Sequence, residues 1–541
     1  MRIAAESLLT GGKVFLGPGL GFAEAVAFWG GKVLATGSAA ELSALVGPNT
    51  KVVDLRGRLA VPGFNDAHQH MMSMGFGAME VDLKDEAIDT LDKLLAAVKA
   101  GVEATEPGGW VLGRGYDHFE LDVKRHPLRE ELDQIAPDHP VYIKRTCGHM
   151  GVANSKALEL AGVTEGTSQP AGGHIESQNG KLTGLMQETA QRLITKAQPD
   201  DKLETLVTAI EAGARLNLSF GITSCTDPAV GLRKGYMDWQ AYLAARRQDR
   251  LPIRMYLMPL AGASGWPDRA IGMDLMTGDG DEWMRVGPMK LFTDGSAGGK
   301  TAAMSEPYTD DSENTGIFIY GDEELHGYIA DYHARGFQIA THAIGDAAIE
   351  QVLSGYEKAM GNNVDPSRRH RIEHCGFLTD DQLRRMAAAG ILPAPQPIFL
   401  YEFGDLYLNV LGSGRPEASY PMRKWTAAGL YPSASSDGPV SSTNPFRNLY
   451  TMVTRKTNKG TAIGADQALT LEEAIGAYTV NSAYGSFEEG IKGTLAPGML
   501  GDVAVLDTDL FATEPEAWLS AHCDLAIVGG AVAHDRLGEA G

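Results

Sequence analysis

The sequence predicts an α/β protein with a (β/α)8 TIM barrel, a composite β-sandwich made from the two chain ends, and an insertion after the first barrel strand. In the middle of the chain, short apolar or β-branched runs alternate with helical patterns eight times. Short strand-like segments separated by Gly pairs occupy both ends. A gap of about 150 residues, far too long for one barrel helix, separates the first two barrel strands.

The two ends of the chain share one style of sequence, with alternating apolar and polar residues in short segments. The clearest segments are Lys13–Leu16, Glu24–Phe28, Val33–Thr36, Asp502–Leu506 and Asp524–Val528. Because the termini of a domain often lie close together, we expect residues 1–58 and 490–541 to form the composite β-sandwich.

The middle of the chain, residues 59–74 and 200–489, is assigned to the barrel. Its predicted strands are Leu59–His70, Gly221–Asp227, Ile253–Leu260, Met289–Asp294, Phe337–His342, His370–His374, Ile391–Gln396 and Tyr431–Asp437. Amphipathic helices lie between them, such as the helix that begins at Thr379 as N-cap and ends before Gly390. Residues 75–199 are then the insertion, which we expect to shape the substrate pocket.

Composition excludes several classes of function. Lys and Arg total 47 against 69 for Asp and Glu, a net charge of −22, and no basic run interrupts this acidity. Nucleic acid and anionic membrane surfaces are therefore disfavoured as partners. We expect a small-molecule substrate, and a homodimer is compatible with the sequence.

Cysteine usage and the N-terminal sequence predict a cytoplasmic protein. The four cysteines lie far apart and form no CxxC motif, which is typical of a reducing compartment. The first residues lack the apolar core of a signal peptide. No apolar run reaches the length of a membrane span.

Two histidines close the first predicted barrel strand, in Val61-Pro-Gly-Phe-Asn-Asp-Ala-His-Gln-His70. Residues i and i+2 of a strand point the same way, so His68 and His70 are predicted to project together into the barrel mouth. Neutral imidazoles are good ligands for divalent Zn, Mn, Fe or Ni. Taken alone, an HxH motif is weak evidence, because two unrelated histidines near a strand end are the more common explanation; the position at the end of a strand strengthens it.

Three further residues close predicted strands: His342, His374 and Asp437. Each has an ordinary explanation, as a hydrogen-bonded histidine or as an Asp that caps the next helix. However, active sites of this barrel lie at the carboxyl ends of the strands. Four predicted strands end there in residues that can bind a metal, and this coincidence predicts a metal site.

Lys290 lies on the fourth predicted strand. A lysine in a barrel interior is costly as a bare ammonium, and one explanation is an ion pair with Asp294 or Asp437. The functional alternative is a carbamate formed with CO2. A carbamate provides anionic oxygens that could bridge two metals and hold a hydroxide between them.

With these residues in place, the sequence resembles the amidohydrolase superfamily, and within it the amidohydrolase-3 branch that includes N-substituted formamide deformylases. The pattern is HxH on the first strand, Lys on the fourth, His on the fifth and sixth, and Asp on the eighth. The supporting phrases are GHMGVANSKALELAGV at 148–163, GGHIESQNGKLTGLMQETA at 172–190, KLFTDGS at 290–296, THAIGDAAI at 341–349 and GTLAPGMLGDVAVLD at 493–507. The similarity spans nearly the whole chain.

The resemblance implies a metal shell for one or two divalent ions, with zinc as the first expectation and Mn, Fe or Ni as alternatives. Its members would be His68, His70, Lys290, His342, His374 and Asp437. It also implies that Asp437 is the catalytic proton shuttle, which takes a proton from the attacking water and delivers it to the leaving nitrogen. The metal would polarise the scissile carbonyl and supply hydroxide.

The resemblance implies substrate-binding residues as well. His149, Asn154 and Ser155 match a GHxxxxNS segment expected to line the pocket, although Asn154-Ser155 suits a helix N-cap equally well. Glu188 is either a pocket residue or part of a solvated helix face. Asp294, in the KLFTDGS phrase, is also assigned to substrate binding.

The leading hypothesis for function is hydrolysis of a C–N bond in a non-peptide amide, namely an N-substituted formamide, an N-acyl amine or a cyclic amide. A second hypothesis uses the same metal site for decarboxylation, isomerisation or ester hydrolysis, because a fold does not determine chemistry. A third is a non-catalytic scaffolding relative. The complete set of candidate ligands argues against the third, since a scaffold has no need of them.

Overall fold

The chain forms two compact units in a computed structural model that describes residues 4–84, 87–146, 149–170, 172–262, 266 and 274–538. The first unit comprises Met1–Ser73 and Gly213–Gly541, and the second comprises Met74–Ala212. The predicted insertion at 75–199 therefore falls within the second unit.

Strands from both chain ends form two sheets in the first unit. The early strands are β1 (Ser7–Thr10), β2 (Lys13–Gly17), β3 (Gly21–Ala23), β4 (Ala25–Trp29), β5 (Lys32–Gly37), β6 (Lys51–Asp54), β7 (Leu59–Pro62) and β8 (Phe64–Asp66). The late strands are β22 (Val503–Leu506), β23 (Cys523–Val528) and β24 (Ala531–Asp535). One sheet has the order β5-β4-β1-β6, and the other has the order β24-β23-β22-β7-β2-β3.

The second of these sheets joins the two ends of the chain directly, because β22 pairs antiparallel with β7. The two sheets share one buried apolar cluster. Leu9 and Val26 contribute to it from the first sheet, and Val14, Val505 and Ile527 contribute from the second. Each sheet alone would expose an apolar face, so burial of this cluster favours folding of both ends together.

The first predicted barrel strand, Leu59–His70, is divided in the structure. β7 belongs to the chain-end sheet, while β8 pairs with β15 (Ile222–Val230) in the barrel. Gly63 separates them, and a Cβ at this position would lie only 2.2 Å from Thr223 Oγ1. The prediction of one continuous strand was wrong because the apolar pattern runs unbroken across this close approach.

The remaining barrel strands all pair in parallel. They are β16 (Arg254–Pro259), β17 (Met284–Val286), β18 (Met289–Phe292), β19 (Ile339–Ala343), β20 (Arg371–His374) and β21 (Leu392–Ala394). Their sheet orders are β17-β16-β15-β8 and β18-β19-β20-β21. A parallel bridge between Leu260 and Lys290 joins the two sheets.

The predicted eighth strand, Tyr431–Asp437, contains no assigned strand. The segment nevertheless closes the ring, because Ala67 N donates to Ala434 O at 3.2 Å and Ser435 Oγ donates to Pro395 O at 2.8 Å. A ring of parallel segments with helices between them is a TIM-barrel-type α/β fold.

In the described part of the first unit, helices with defined bounds alternate with these strands, precede them or follow them. They are α1 (Ala39–Leu42), α8 (Tyr236–Arg247), α9 (Asp322–Ala334), α10 (Asp346–Met360), α11 (Asp380–Ala389), α12 (Ile398–Leu411), α13 (Gly414–Glu417), α14 (Met422–Ala427), α15 (Pro445–Thr454), α16 (Leu471–Gly476), α17 (Ser482–Gly485) and α18 (Pro515–Trp518). α2 (Met71–Met79) and α7 (Leu203–Ser219) each begin in one unit and end in the other. α11 begins at the predicted N-cap Thr379 and ends at Gly390, whose φ is 65°.

The described residues of the second unit form a sheet with the order β13-β14-β12-β11-β10-β9. Its strands are β9 (Val81–Asp82), β10 (Val111–Tyr116), β11 (Val141–Arg145), β12 (Met150–Ala153), β13 (Gly173–Gln178) and β14 (Lys181–Glu188). Its own helices are α3 (Leu91–Glu103), α4 (Arg129–Ile135), α5 (Ser155–Leu160) and α6 (Gln191–Ala197). Leu94, Val98, Val111, Ile143 and Val152 belong to a core that lies within this unit.

The helices and cysteines of the structure can be compared with the predictions of no membrane span and no disulfide framework. Across the part of the chain that the structure describes, none of the helices is both long enough and apolar enough to cross a bilayer. Cys225, Cys375 and Cys523 are free and buried, and Cys147 lies outside the described residues.

A buried ion pair connects β16 with the residue before β22. Arg254 Nε and Nη2 donate to Asp502 at 2.6 and 2.9 Å, and both side chains are almost fully buried. Asp502 also accepts the backbone amide of Gly529. The pair therefore connects the barrel with the chain-end sheet.

We expect Arg254→Ala to lower the free energy of unfolding by about 3–5 kcal/mol, because the buried Asp502 carboxylate would lose its partner. Thermal and urea denaturation of the full chain measure the loss. Arg384→Ala is the control: it removes one member of the exposed pair with Asp381 and should leave stability unchanged. Equal losses in both variants would contradict a special role for the buried pair.

Candidate metal centre

Three of the predicted ligands converge on one point in the first unit. Asp437 Oδ1 lies 3.3 Å from His68 Nε2 and 3.3 Å from His70 Nε2. The ligand atoms of the three residues all lie within 4.8 Å of one another. His68 and Asp437 are buried, and His70 is partly exposed.

The two histidines do not lie on a strand, as the sequence predicted, because β8 ends at Asp66. They lie in the loop that follows, and hydrogen bonds at its backbone hold the loop in place. Gln69 N donates to Thr226 O on β15, and His70 N donates to Gly438 O. The imidazoles therefore converge through a fixed loop rather than through strand alternation.

Asp437 is held by its own backbone. Its amide donates to His68 O at 2.8 Å, and its φ of 56° lies in the left-handed region that non-glycine residues rarely adopt. Upstream, Ala434 N donates to Ala477 O in the single π-helical turn Ala477–Asn481. A left-handed backbone at a non-glycine residue, as at Asp437, is typical of functional positions.

His342 and His374 lie beside this group but are not part of it among the described residues. The ring centroid of His374 lies 4.8 Å from that of His68 and 4.3 Å from that of His342. His374 Nδ1 lies 2.5 Å from Gln396 Oε1, and His342 Nε2 lies 3.1 Å from Gly295 O. These contacts leave one ring nitrogen of each histidine for a ligand.

Lys290 is fully buried, and its ammonium has no hydrogen-bond partner. Its Nζ lies 4.7 Å from the centroid of the Phe292 ring. The ion pair with Asp294 or Asp437 that the sequence suggested is not formed, although Asp437 and Glu373 are near enough to act electrostatically on Lys290. Burial lowers the pKa of Lys290 to about 8 against the opposing charges of these two carboxylates.

The pKa values of two carboxylates at the centre, Asp437 and Glu373, are lowered by basic neighbours. Burial raises the pKa of Asp437, but the neighbouring His68 and His70 outweigh burial and hold that pKa well below its usual range. Burial likewise raises the pKa of Glu373, and Arg371 and His68 reverse the effect. Basic neighbours therefore stabilise the charged form of both buried carboxylates.

The residues present suit a divalent metal. Asp437 Oδ1 is buried without a hydrogen-bond partner, because its two contacts with imidazole nitrogens lack hydrogen-bond geometry. Two imidazole nitrogens and one carboxylate oxygen form a donor set that zinc and other transition metals accept. Lys290 Nζ is a second buried polar atom without a partner nearby.

Glu373 is a residue of the centre that the sequence analysis missed. Its Oε2 lies 2.5 Å from His68 Nδ1, and Arg371 donates two hydrogen bonds to its carboxylate. Strand alternation would place Glu373 on the opposite side from its neighbour His374. The only signal in the sequence was an acidic residue directly before a predicted ligand.

Asp294 is occupied by backbone groups. Its carboxylate accepts hydrogen bonds from the amides of Ala303, Ile344 and Gly345, and it lies 3.1 Å from His342 Nε2. It therefore fixes the loops after β18 and β19 next to His342. Nothing in these contacts indicates a substrate, so the assignment of Asp294 to substrate binding stays a prediction.

The other three residues assigned to substrate lie in the second unit. His149 Nδ1 and Glu188 Oε2 are 3.0 Å apart, both side chains are exposed, and Glu188 has a φ of 50°. Asn154 is fully buried and is the N-cap of α5, where its carboxamide accepts from Val141 N and Ala157 N. The N-cap alternative thus describes Asn154, whereas His149 and Glu188 stay available to a ligand.

One cavity of the first unit is lined by a candidate ligand, and a second, larger one is not. A cavity of about 250 Å³ lies beside His70, with Met72, Ala229 and Leu232 as apolar walls. Asp227, which accepts the hydroxyl of Tyr242 at 2.5 Å, forms part of its polar wall. A larger cavity of about 710 Å³ lies among the chain-end strands and contains none of the candidate ligands.

Comparison with known proteins identifies the family. The amidohydrolase-3 model, described as the Amidohydrolase family, matches residues 51–534. The protein LONG AFTER FAR-RED 3 of Arabidopsis thaliana is 31% identical over 94% of this chain and 88% of its own length. The N-substituted formamide deformylase of Arthrobacter pascens is 28% identical, with 90% of each chain covered.

A solved structure agrees with this result. An uncharacterized metal-dependent hydrolase from Pyrococcus horikoshii OT3 matches with a TM-score of 0.75 and 26% identity, covering 94% of this chain and 99% of that one. The chain belongs to the Amidohydrolase family. It is an enzyme, a hydrolase of carbon–nitrogen bonds.

We expect His68→Ala to lower the content of bound divalent metal, because the variant loses one of three converging donors. Elemental analysis of the purified full chain after zinc loading measures this. His522→Ala is the matched control, since that histidine is exposed, is not a candidate ligand and pairs with Asp507. Stoichiometric metal in His68→Ala would contradict the assignment of His68 as a ligand.

Proposed function

We propose that this protein is a metal-dependent hydrolase that cleaves the C–N bond of a non-peptide amide: an N-substituted formamide, an N-acyl amine or a cyclic amide. The observation that carries the proposal is the convergence of His68 Nε2 and His70 Nε2 on Asp437 Oδ1, each at 3.3 Å. The similarity to an N-substituted formamide deformylase supports the class of substrate.

The metal in this proposal is one or two divalent ions, with zinc as the first expectation and Mn, Fe or Ni as alternatives. His68, His70 and Asp437 would hold it, and Lys290, His342 and His374 would complete the shell. When bound, a divalent metal polarises a scissile carbonyl and lowers the pKa of water toward neutrality. The remaining steps depend on the side chains of this chain.

Asp437 is proposed as the proton shuttle. Its carboxylate is ionised, buried and fixed at the backbone by the bond from its amide to His68 O. It accepts the proton that the attacking water loses, and it delivers that proton to the nitrogen as the C–N bond breaks. Products are a carboxylic acid and an amine, so atoms and charge balance with one water consumed.

Lys290 is proposed to carry a carbamate. Its lowered pKa increases the fraction of neutral amine, which is the form that attacks CO2. The ammonium first loses one proton to solvent, and formation of the C–N bond with CO2 releases a second, so a buried cation becomes an anion. As an ammonium, Lys290 Nζ has no hydrogen-bond partner. Conversion to a carbamate would replace this unpaired cation by oxygens that can bind a metal.

A small-molecule substrate fits the cavity of about 250 Å³ beside His70, which offers apolar walls and one polar wall. We keep His149 and Glu188 as substrate-binding residues in the proposal, since their polar side chains are exposed. The two chain-end sheets with their shared core are interpreted as the composite β-sandwich.

Replacing Asp437 by asparagine is expected to lower kcat by about 10²- to 10⁴-fold, because the amide cannot accept and return a proton. Amine release from N-alkyl formamides, N-acetyl amines and cyclic amides measures the rate, with matched formate esters as the comparison. A wild-type enzyme that is loaded with metal and cleaves only the esters would contradict amide hydrolysis. A near-normal rate in Asp437→Asn would contradict the shuttle.

Lys290→Ala should lose at least one equivalent of metal and regain part of its activity when a short carboxylic acid is added, because the acid replaces the oxygens of the carbamate. Metal analysis and amide hydrolysis with and without propionate check this. Lys456→Ala, at an exposed lysine paired with Glu516, is the control. Full metal content in Lys290→Ala would overturn the carbamate.

A further inference from the structure

We propose that Glu373, held by Arg371, is a positioning residue that orients His68 so that its Nε2 is presented toward Asp437. The inference rests on the proposed metal site and extends it to two residues that are not ligands. It assigns to the Arg371–Glu373 pair a role in metal affinity that differs from a general contribution to stability.

The first step is the hydrogen bond between Glu373 and His68. Glu373 Oε2 lies 2.5 Å from His68 Nδ1, and both side chains are almost completely buried. Both oxygens of the Glu373 carboxylate already accept from Arg371, which makes this carboxylate an acceptor for Nδ1–H of His68, and the contact favours the tautomer that leaves Nε2 free. The lone pair is then on Nε2, the atom that lies 3.3 Å from Asp437 Oδ1. Partners of this kind set the tautomer and orientation of histidine ligands.

The second step is the way in which Arg371 holds the carboxylate. Its Nε donates to Glu373 Oε1 at 2.7 Å and its Nη2 donates to Oε2 at 2.9 Å. Nη2 also donates to Ala67 O at 2.9 Å, directly before His68 in the chain. One guanidinium therefore fixes both the side-chain partner of His68 and the backbone that leads to it.

The strand β20 ends in two neighbouring residues, Glu373 and His374, that both reach the candidate centre. Successive residues of a strand point to opposite faces, so Glu373 and His374 should not reach the same site. Glu373 nevertheless bonds to His68, and the His374 ring lies 4.8 Å from the His68 ring. His374 has a φ of 67°, in the left-handed region, which ends the alternation. The strained backbone allows a proposed ligand and its neighbour to serve one centre.

The buried Arg254–Asp502 pair is a control that distinguishes an effect on metal binding from an effect on stability alone. Asp502 accepts two hydrogen bonds from Arg254, as Glu373 does from Arg371, and is also almost fully buried. Its further partner is the backbone amide of Gly529, not an imidazole. Loss of either carboxylate charge should destabilise the chain, but only loss of Glu373 should affect metal binding.

The experiment compares Glu373→Ala, Glu373→Gln and Asp502→Asn in the purified full chain. Competition with a chromophoric chelator measures zinc affinity. We expect a 10- to 100-fold loss for Glu373→Ala, and a smaller loss for Glu373→Gln, which keeps an acceptor oxygen. Asp502→Asn should melt at a lower temperature with zinc affinity within about threefold of the wild type. The visible spectrum of the Co(II) form should change only in the Glu373 variants.

Wild-type zinc affinity and an unchanged Co(II) spectrum in both Glu373 variants would overturn the inference, and so would an equal loss of affinity in Asp502→Asn. If Glu373→Ala does not fold, Glu373→Gln decides by the same measurements. Failure of the proposed function is distinguishable, because it appears as a metal-loaded wild type that releases no amine. The affinities still test the positioning role in that case.

Discussion

The backbone amide of Asp437 donates to the carbonyl of His68 at 2.8 Å, and most of the candidate centre depends on this hydrogen bond. The two residues are far apart in sequence, and the bond lies where the ring of parallel segments closes. It brings the backbone of Asp437 next to that of His68, and the side-chain contact of Glu373 with His68 Nδ1 orients the imidazole. The contact that closes the ring therefore also brings Asp437 to the two histidines of the candidate centre.

The amidohydrolase identity and the TIM-barrel-type fold could be predicted from the sequence, because both depend on patterns that are local. Six of the predicted barrel strands coincide with β15, β16, β18, β19, β20 and β21 within a few residues. The first strand was wrong, since apolar residues continue through Gly63, where the chain leaves one sheet for another. The last predicted strand was also wrong. Tyr431–Asp437 makes isolated backbone hydrogen bonds instead of a continuous ladder, and its backbone is left-handed at Asp437.

The candidate site was predictable in its ligand types and less so in the groups that orient them. His68, His70 and Asp437 were predicted and converge, whereas Glu373 was missed because its role depends on backbone φ at the next residue. Asn154 shows the opposite case: the sequence offered two interpretations, and only the hydrogen bonds of the folded second unit distinguish them. Positive φ values and contacts between distant segments are the information that a single sequence does not contain.

The pairing of β7 with β22 has a consequence for the synthesis of the chain. β7 continues through one glycine into the segment that carries both histidines, yet its antiparallel neighbour Val503–Leu506 is translated more than four hundred residues later. β7 can pair early with β2, but its other edge lacks a partner until Val503–Leu506 has been synthesised. Contacts of such sequence separation form slowly and expose strand edges in the meantime. This strand is where we expect a chaperone to be needed during biogenesis.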